Sequence, residues 1–232
     1  MPSPQSLKRL LDVVGTALIL LATAGVIWAI GPNRGNSGEG RPDIEDVSGL
    51  RIDADKLTNV KGRGSVAIVE FADYQCPFCG RHARETAPEL ERRFVASGRI
   101  RYLYFHYPIQ RLHPYAMKAG EAAECAGEQG AFWQMHERLF KNSQSLSRPD
   151  LVTHARALSL DDAAFQACLG EDKAAAVLAD KEEGVRLGVN STPTFFVGTV
   201  QADGSIELVK RINGAVSLDR FESAIDDVQK AR

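Results

Sequence analysis

The sequence predicts an α/β domain with a block of helices set into it, carried on one apolar N-terminal segment that spans a membrane. Three observations point there. A strand-like run, Ser65 to Ala72 (SVAIVEFA), leads through a short turn into a helix. Strand signals stop at Pro108 and resume at Thr194, with helical patterning between. Val13 to Ile30 (VVGTALILLATAGVIWAI) holds no charged residue and is long enough to cross hydrocarbon.

At the N-terminus, residues 1–9 carry Lys8 and Arg9 ahead of the apolar segment 10–30. Cations on that side keep the N-terminus cytoplasmic and export the rest of the chain, so the domain is expected in a bacterial periplasm or cell envelope. A cleaved signal peptide competes with the transmembrane signal-anchor, because Ala22-Thr23-Ala24 has a small-x-small form. The apolar run nevertheless continues through Trp28 to Ile30. Residues 31–50, with repeated Gly plus Pro32 and Pro42, read as a flexible linker. The domain proper is expected over 51–232, with its helical insertion at about 112–188. With 44% hydrophobic and 25% charged residues, the 232-residue chain can bury one full core. A net charge of −2 without a basic, aromatic-interleaved patch excludes a nucleic-acid partner.

The first strand is rich in β-branched and apolar residues and reads as buried. After Asp73-Tyr-Gln, Pro77 suits the first turn of a helix running on as FCGRHARETAPELERRFVAS. Ile100 to Tyr107 is a second strand ended by Pro108. Four helical stretches occupy the chain between Pro114 and Leu187, with Asp161 and Asp162 at an N-cap and Gly170 and Gly188 at helix ends. Thr194–Val197 and Ser205–Lys210 are strands, and Leu218 to Gln229 is a last amphipathic helix.

Cys76 and Cys79 form a Cys-x-x-Cys at the first strand-to-helix junction. A zinc knuckle needs two further ligands, and the remaining cysteines, Cys125 and Cys168, stand alone in separate helical stretches. A redox pair fits the strand-to-helix setting better than zinc or a purely structural bridge. The unpaired N–H groups and dipole of a helix N-terminus favour a thiolate at Cys76, the candidate nucleophile. Cys79, one turn further in, is the candidate resolving thiol. Cys125 and Cys168 are either two buried free thiols or, in an oxidising compartment, a structural disulfide.

VEFADYQCPFC and GVNSTPTFFVG, in that order, resemble the DsbA-like thiol-disulfide oxidoreductases, whose fold is a thioredoxin fold with an inserted helical domain. The resemblance covers roughly Gly49 to Arg232. It implies that Glu70 is a buried acid relaying the Cys79 proton. The residues alone leave a solvated strand-end carboxylate open, because periodicity does not settle which face Glu70 takes. The resemblance also implies a cis peptide at Thr192-Pro193, with the Thr192 backbone pairing an extended substrate; sheet rules equally allow a trans proline at a strand start. Pro77 and Phe78 surround the thiolate, and Phe78 stands where many strong oxidases of the family carry histidine.

No bound cofactor and no metal are implied. The expected partners are exported thiol-containing proteins and a membrane redox protein of the DsbB or vitamin K epoxide reductase type. A reductase or isomerase, and a non-catalytic peptide- or metal-binding module, are the competing functions. The histidines, His82, His106, His113, His136 and His154, read as caps or surface residues, Trp133 and Phe140 as insertion core, and Asp180 to Glu183 as a solvated helix face.

Overall fold

Seven residues in a row, Val66–Ala72, are buried on both faces, which demands neighbours on each edge and a layer above and below. A computed structural model supplies them; it describes residues 44–170 and 173–231. The expected cytoplasmic segment and anchor lie outside the described residues, among which no helix is long and apolar enough to cross a membrane. The strands are β1 (Ile44–Ile52), β2 (Asn59–Gly62), β3 (Val66–Ala72), β4 (Ile100–His106), β5 (Thr194–Val200) and β6 (Ile206–Asn213). They form one sheet in the order β1-β6-β5-β3-β4-β2.

Between β3 and β4 run α1 (Pro77–Glu85), the short α2 (Ala87–Leu90) and a wide turn of helix over Glu91–Val95. This crossover makes β3 and β4 parallel, with Val66 opposite Ile100 and Glu70 opposite Tyr104. Pro88, near the start of α2, cannot donate into the preceding turn, so the helix expected as one rod breaks after α1. β5 joins β3 on its other edge, antiparallel, with Glu70 opposite Phe195.

Side chains alternate across β3. Val66 and Ile68 enter a core with Leu90, Phe94, Phe221 and Ile225, beneath α1, α2 and α8 (Leu218–Lys230). Ala67, Val69 and Phe71 enter the opposite core with Leu103, Phe105, Leu187 and Phe196. Period two therefore turns Glu70 towards α1.

The inserted helices are α3 (Ala116–Gly127), α4 (Phe132–Lys141), α5 (Arg148–Ala157), α6 (Asp162–Gly170) and α7 (Ala174–Arg186). Met135, Leu139, Phe140 and Phe165 are buried together among them, and Trp133 packs partly buried against this core. Ser147 and Asp150 close a capping box at α5, and the Asp161 carboxylate accepts from the Ala164 N–H at 2.7 Å to cap α6. Gly188, at φ 77°, supplies the left-handed residue just after α7. Cys125 of α3 and Cys168 of α6 are disulfide-bonded, with Cα atoms 5.8 Å apart.

Two further expectations need correction. Residues 44–50, read as linker, belong to β1, which pairs with β6 across an irregular register between Asp46 and Leu50. Asp180 and Glu183 do not form a solvated face: each is 9% exposed, and Asp180 accepts the backbone N–H of His106 at 2.9 Å. Helix α7 lies across β4, so its inner polar side chains meet strand ends instead of water.

Candidate active site

Cys76 is the N-cap of α1, in extended backbone, with Pro77 opening the helix. The turn before it is held by Asp73, whose carboxylate accepts from the N–H groups of Gln75 and Ile109 and pairs with His113 Nδ1 at 2.8 Å. A buried carboxylate thus clamps the catalytic turn to the loop after β4. Tyr74 and Gln75 lie between this clamp and the helix, and the Cys76 N–H donates back to the Asp73 carbonyl at 3.1 Å.

At that position the Cys76 thiol is driven down to about 5, first by the Cys79 thiol donating to it, then by the Thr192 side chain and the N–H groups of Cys79 and Phe78, against the cost of burial. As a thiol, Cys76 donates to the Thr192 carbonyl at 3.4 Å; the Thr192 hydroxyl has no other protein partner. Cys79 is fully buried. Burial, then the hydrogen bond and charge of Cys76, push its thiol well above the ordinary range, opposed by the Asp73 N–H. Both sulfurs are free thiols here. One acidic and one strongly basic thiol, adjacent, is the arrangement in which the first attacks and the second waits for a base.

Glu70, 2% exposed, accepts the Tyr102 hydroxyl at 2.7 Å. Burial raises its carboxyl to about 7, with Tyr102 and the Lys61 charge pulling the other way. Its charge in turn raises Cys79. The Thr192-Pro193 peptide is cis and directly precedes β5, whose Phe195 lies opposite Glu70. The structure therefore gathers Cys76, Cys79, Thr192 and Glu70 from α1, the cis turn and β3. Pro77 and Phe78 border the thiol on its outer side, and Phe78 is 55% exposed with the Arg81 guanidinium 5.4 Å from its ring centre.

Cys125 and Cys168, by contrast, stay in the insertion, bonded to one another. The histidines depart most from expectation, for His82, His106, His136 and His154 are all buried. His82 was legible in one respect: three residues beyond Cys79 it shares that residue's helix face, and Cys79 points inwards. Tyr102 and Lys61 carried no sequence signal, since they reach Glu70 from β4 and β2.

A family model described as Thioredoxin matches residues 61–227. Among curated relatives, a Na(+)/H(+) antiporter NhaA 1 of Salinispora arenicola is 38% identical over 177 residues, 76% of this chain but 25% of that protein. The chain thus spans about a quarter of the length of such relatives, and antiport is a property of those proteins. Among solved structures, a thioredoxin-like oxidoreductase from Silicibacter pomeroyi DSS-3 superposes with a TM-score of 0.63 at 27% identity, covering 78% of this chain and 100% of that one. Alpha-DsbA1 of Wolbachia pipientis superposes with a TM-score of 0.63 at 22% identity, covering 73% and 89%. The chain therefore belongs to the thioredoxin family, and its build is that of the DsbA-like thiol-disulfide oxidoreductases.

Proposed function

We propose that this oxidoreductase forms or exchanges disulfides in exported proteins from a membrane-tethered position, with Cys76 as nucleophile, Cys79 as resolving thiol and Glu70 as proton relay. The observation that carries the reading is the split between the two thiols, Cys76 held near 5 and Cys79 far above it. With the pair oxidised, a substrate thiolate attacks Cys76 Sγ; the Cys76–Cys79 bond breaks and Cys79 leaves with the electron pair, taking a proton from Glu70. A second substrate thiolate then attacks the mixed disulfide, so the substrate is oxidised by two electrons and Cys76 leaves as a stabilised thiolate. The backbone of Thr192, next to the Cys76 sulfur and just before Pro193, suits pairing with an extended substrate. The Val13 to Ile30 run supports the tether, and re-oxidation calls for a membrane partner of the DsbB or vitamin K epoxide reductase type.

The test is a trap. Cys79→Ser, incubated with a reduced unfolded protein and an oxidant, is expected to accumulate a reductant-sensitive adduct through Cys76, whereas Cys76→Ser forms none. No adduct in either variant would sink the proposal.

The Pro77-Phe78 dipeptide sets the poise. Phe78→His adds a donor beside the thiolate, and because position 78 is 55% exposed the gain is about 1 kcal/mol, or about 20 mV towards stronger oxidant. Equilibration against glutathione buffers checks it, and a variant more reducing than the wild type would refute it.

A further inference from the structure

We propose that the loop from Pro108 to Tyr115 forms a second wall of the substrate site, and that Leu112 and Tyr115 on it select exported proteins whose reactive cysteine is flanked by apolar residues. The proposal rests on the thiol-exchange reading and adds to it the class of sequence that is oxidised fastest.

Topology sets where the loop lies. β3 and β4 are parallel neighbours, so the Cys76 turn and the loop after β4 leave the sheet at the same end. β5 runs antiparallel on the other edge of β3, which brings the Thr192-Pro193 turn to that end as well. The turn after β3 is therefore flanked by the cis turn on one side and by the loop on the other. A substrate sulfur bonded to Cys76 sits between the two.

The loop is fastened to the turn that carries the sulfur. The Ile109 N–H donates to the buried Asp73 carboxylate at 2.7 Å, and His113 Nδ1 pairs with the same oxygen at 2.8 Å. The Tyr115 N–H donates to the Gln75 side chain. From α7, Lys181 donates to the Pro108 carbonyl at 3.0 Å. Inside the loop the Leu112 and His113 N–H groups close on the Ile109 carbonyl. A loop fixed at both ends and across its middle loses little further freedom when a ligand meets it, so binding energy is not spent on ordering it.

What the loop displays is apolar. Leu112 is 63% exposed and Tyr115 48%, and with Phe78 they are three of the six large hydrophobic side chains exposed among the described residues. The others, Val60, Leu178 and Val185, lie away from the turn on β2 and α7. Single exposed apolar side chains need no explanation. Three gathered on the redox helix and on the loop pinned to its turn are a surface continuous with the reactive sulfur. Charge adds to the selection: residues 107–117 include Arg111 and no carboxylate, so lysine beside a substrate cysteine meets like charge there, whereas an apolar flank is covered by Leu112 and Tyr115.

Synthetic dithiol peptides test the assignment, identical except that leucine or serine stands on both sides of the attacking cysteine. With the oxidised full-length protein, the peptide thiolate attacks Cys76 Sγ, the Cys76–Cys79 bond breaks and Cys79 leaves with the electron pair. The peptide's second thiolate then displaces Cys76, so the peptide is oxidised by two electrons and the protein pair is reduced. Alkylation and mass spectrometry read the rates. The wild type is expected to oxidise the leucine peptide about tenfold faster than the serine peptide. Leu112→Ser combined with Tyr115→Ser should bring that ratio to about one. Leu112→Glu should raise the rate for a lysine-flanked peptide, relative to the serine peptide, about threefold above the wild-type ratio. Both positions are exposed, so the variants keep the fold, and a ratio of rates at one pair of sulfurs cancels any change in the sulfurs themselves. A wild-type ratio near one, a tenfold ratio kept by the double variant, an unmoved lysine ratio in Leu112→Glu, or oxidation of dithiothreitol but of neither peptide would each overturn the wall. A wild type that oxidises neither the peptides nor dithiothreitol would instead overturn thiol exchange itself, and the wall with it.

Discussion

Reducing the Cys125–Cys168 bridge in a Cys76→Ser, Cys79→Ser background is expected to cost about 4 kcal/mol of stability. The two residues are 43 apart in sequence, and opening a loop of that length returns about this much chain entropy to the unfolded state. For a domain of this size the melting temperature should fall by roughly 8 to 16 °C. The background variant matters because it leaves no other thiol for the reductant to act on. Calorimetry with and without reductant, with mass mapping of the opened thiols, decides the matter. An unchanged melt with both thiols alkylated would show that the insertion is pinned by packing around Phe140 and Phe165 alone.

The second large effect is expected at Glu70, where stability and activity should move in opposite directions. Burial, its largest cause, raises the folded carboxyl from 4.5 to about 7. The native protein therefore holds this proton more tightly than the unfolded chain does. The resulting stability is fully present below about pH 4.5 and is lost as pH rises through 7. The separation corresponds to about 3 kcal/mol. Glu70→Gln carries no such proton, so its stability relative to the wild type should climb by about that amount between pH 4 and pH 8, then level off. Denaturant unfolding of both proteins across this range measures the difference directly, and contributions from other groups cancel. The same variant should release the mixed disulfide more slowly than it forms it. A difference in stability that stays flat with pH would mean that Glu70 is solvated and holds no proton for Cys79.

A carboxylate under a sheet is a cost to folding, so a Glu70→Gln variant that is more stable yet slower in releasing the mixed disulfide would be the signature of a residue serving the chemistry at the expense of the fold.

The sequence carried the helix-terminal cysteine pair unaided. Cys76 and Cys79 come after a buried strand and flank a proline that can only open a helix, so local rules place one sulfur at the N-terminus and the other one turn inside. The order of β3 to β6 was equally legible, because β3 and β5 are runs of mostly apolar or β-branched residues and β4 and β6 carry apolar residues between polar ones. The edge strands were not. β1 includes Glu45, Asp46, Ser48 and Gly49, and β2 is four residues long; both take strand form from a partner's unpaired N–H and C=O groups instead of their own propensity.

The face taken by Glu70 likewise waited for the tertiary structure. A strand buried on both sides shows no alternation of apolar and polar residues, so period two has no reference until the layers above and below are known. The histidines were misjudged for the same reason: a lone His in a helix or at a strand end has no pattern that distinguishes solvent from core. Only the fold brings Tyr102 and Lys61 from two separate elements to one carboxylate. Spacing along the chain determines what a helix end does to its own thiol, whereas the surroundings of a buried acid are contributed by residues distant in sequence and are decided by packing.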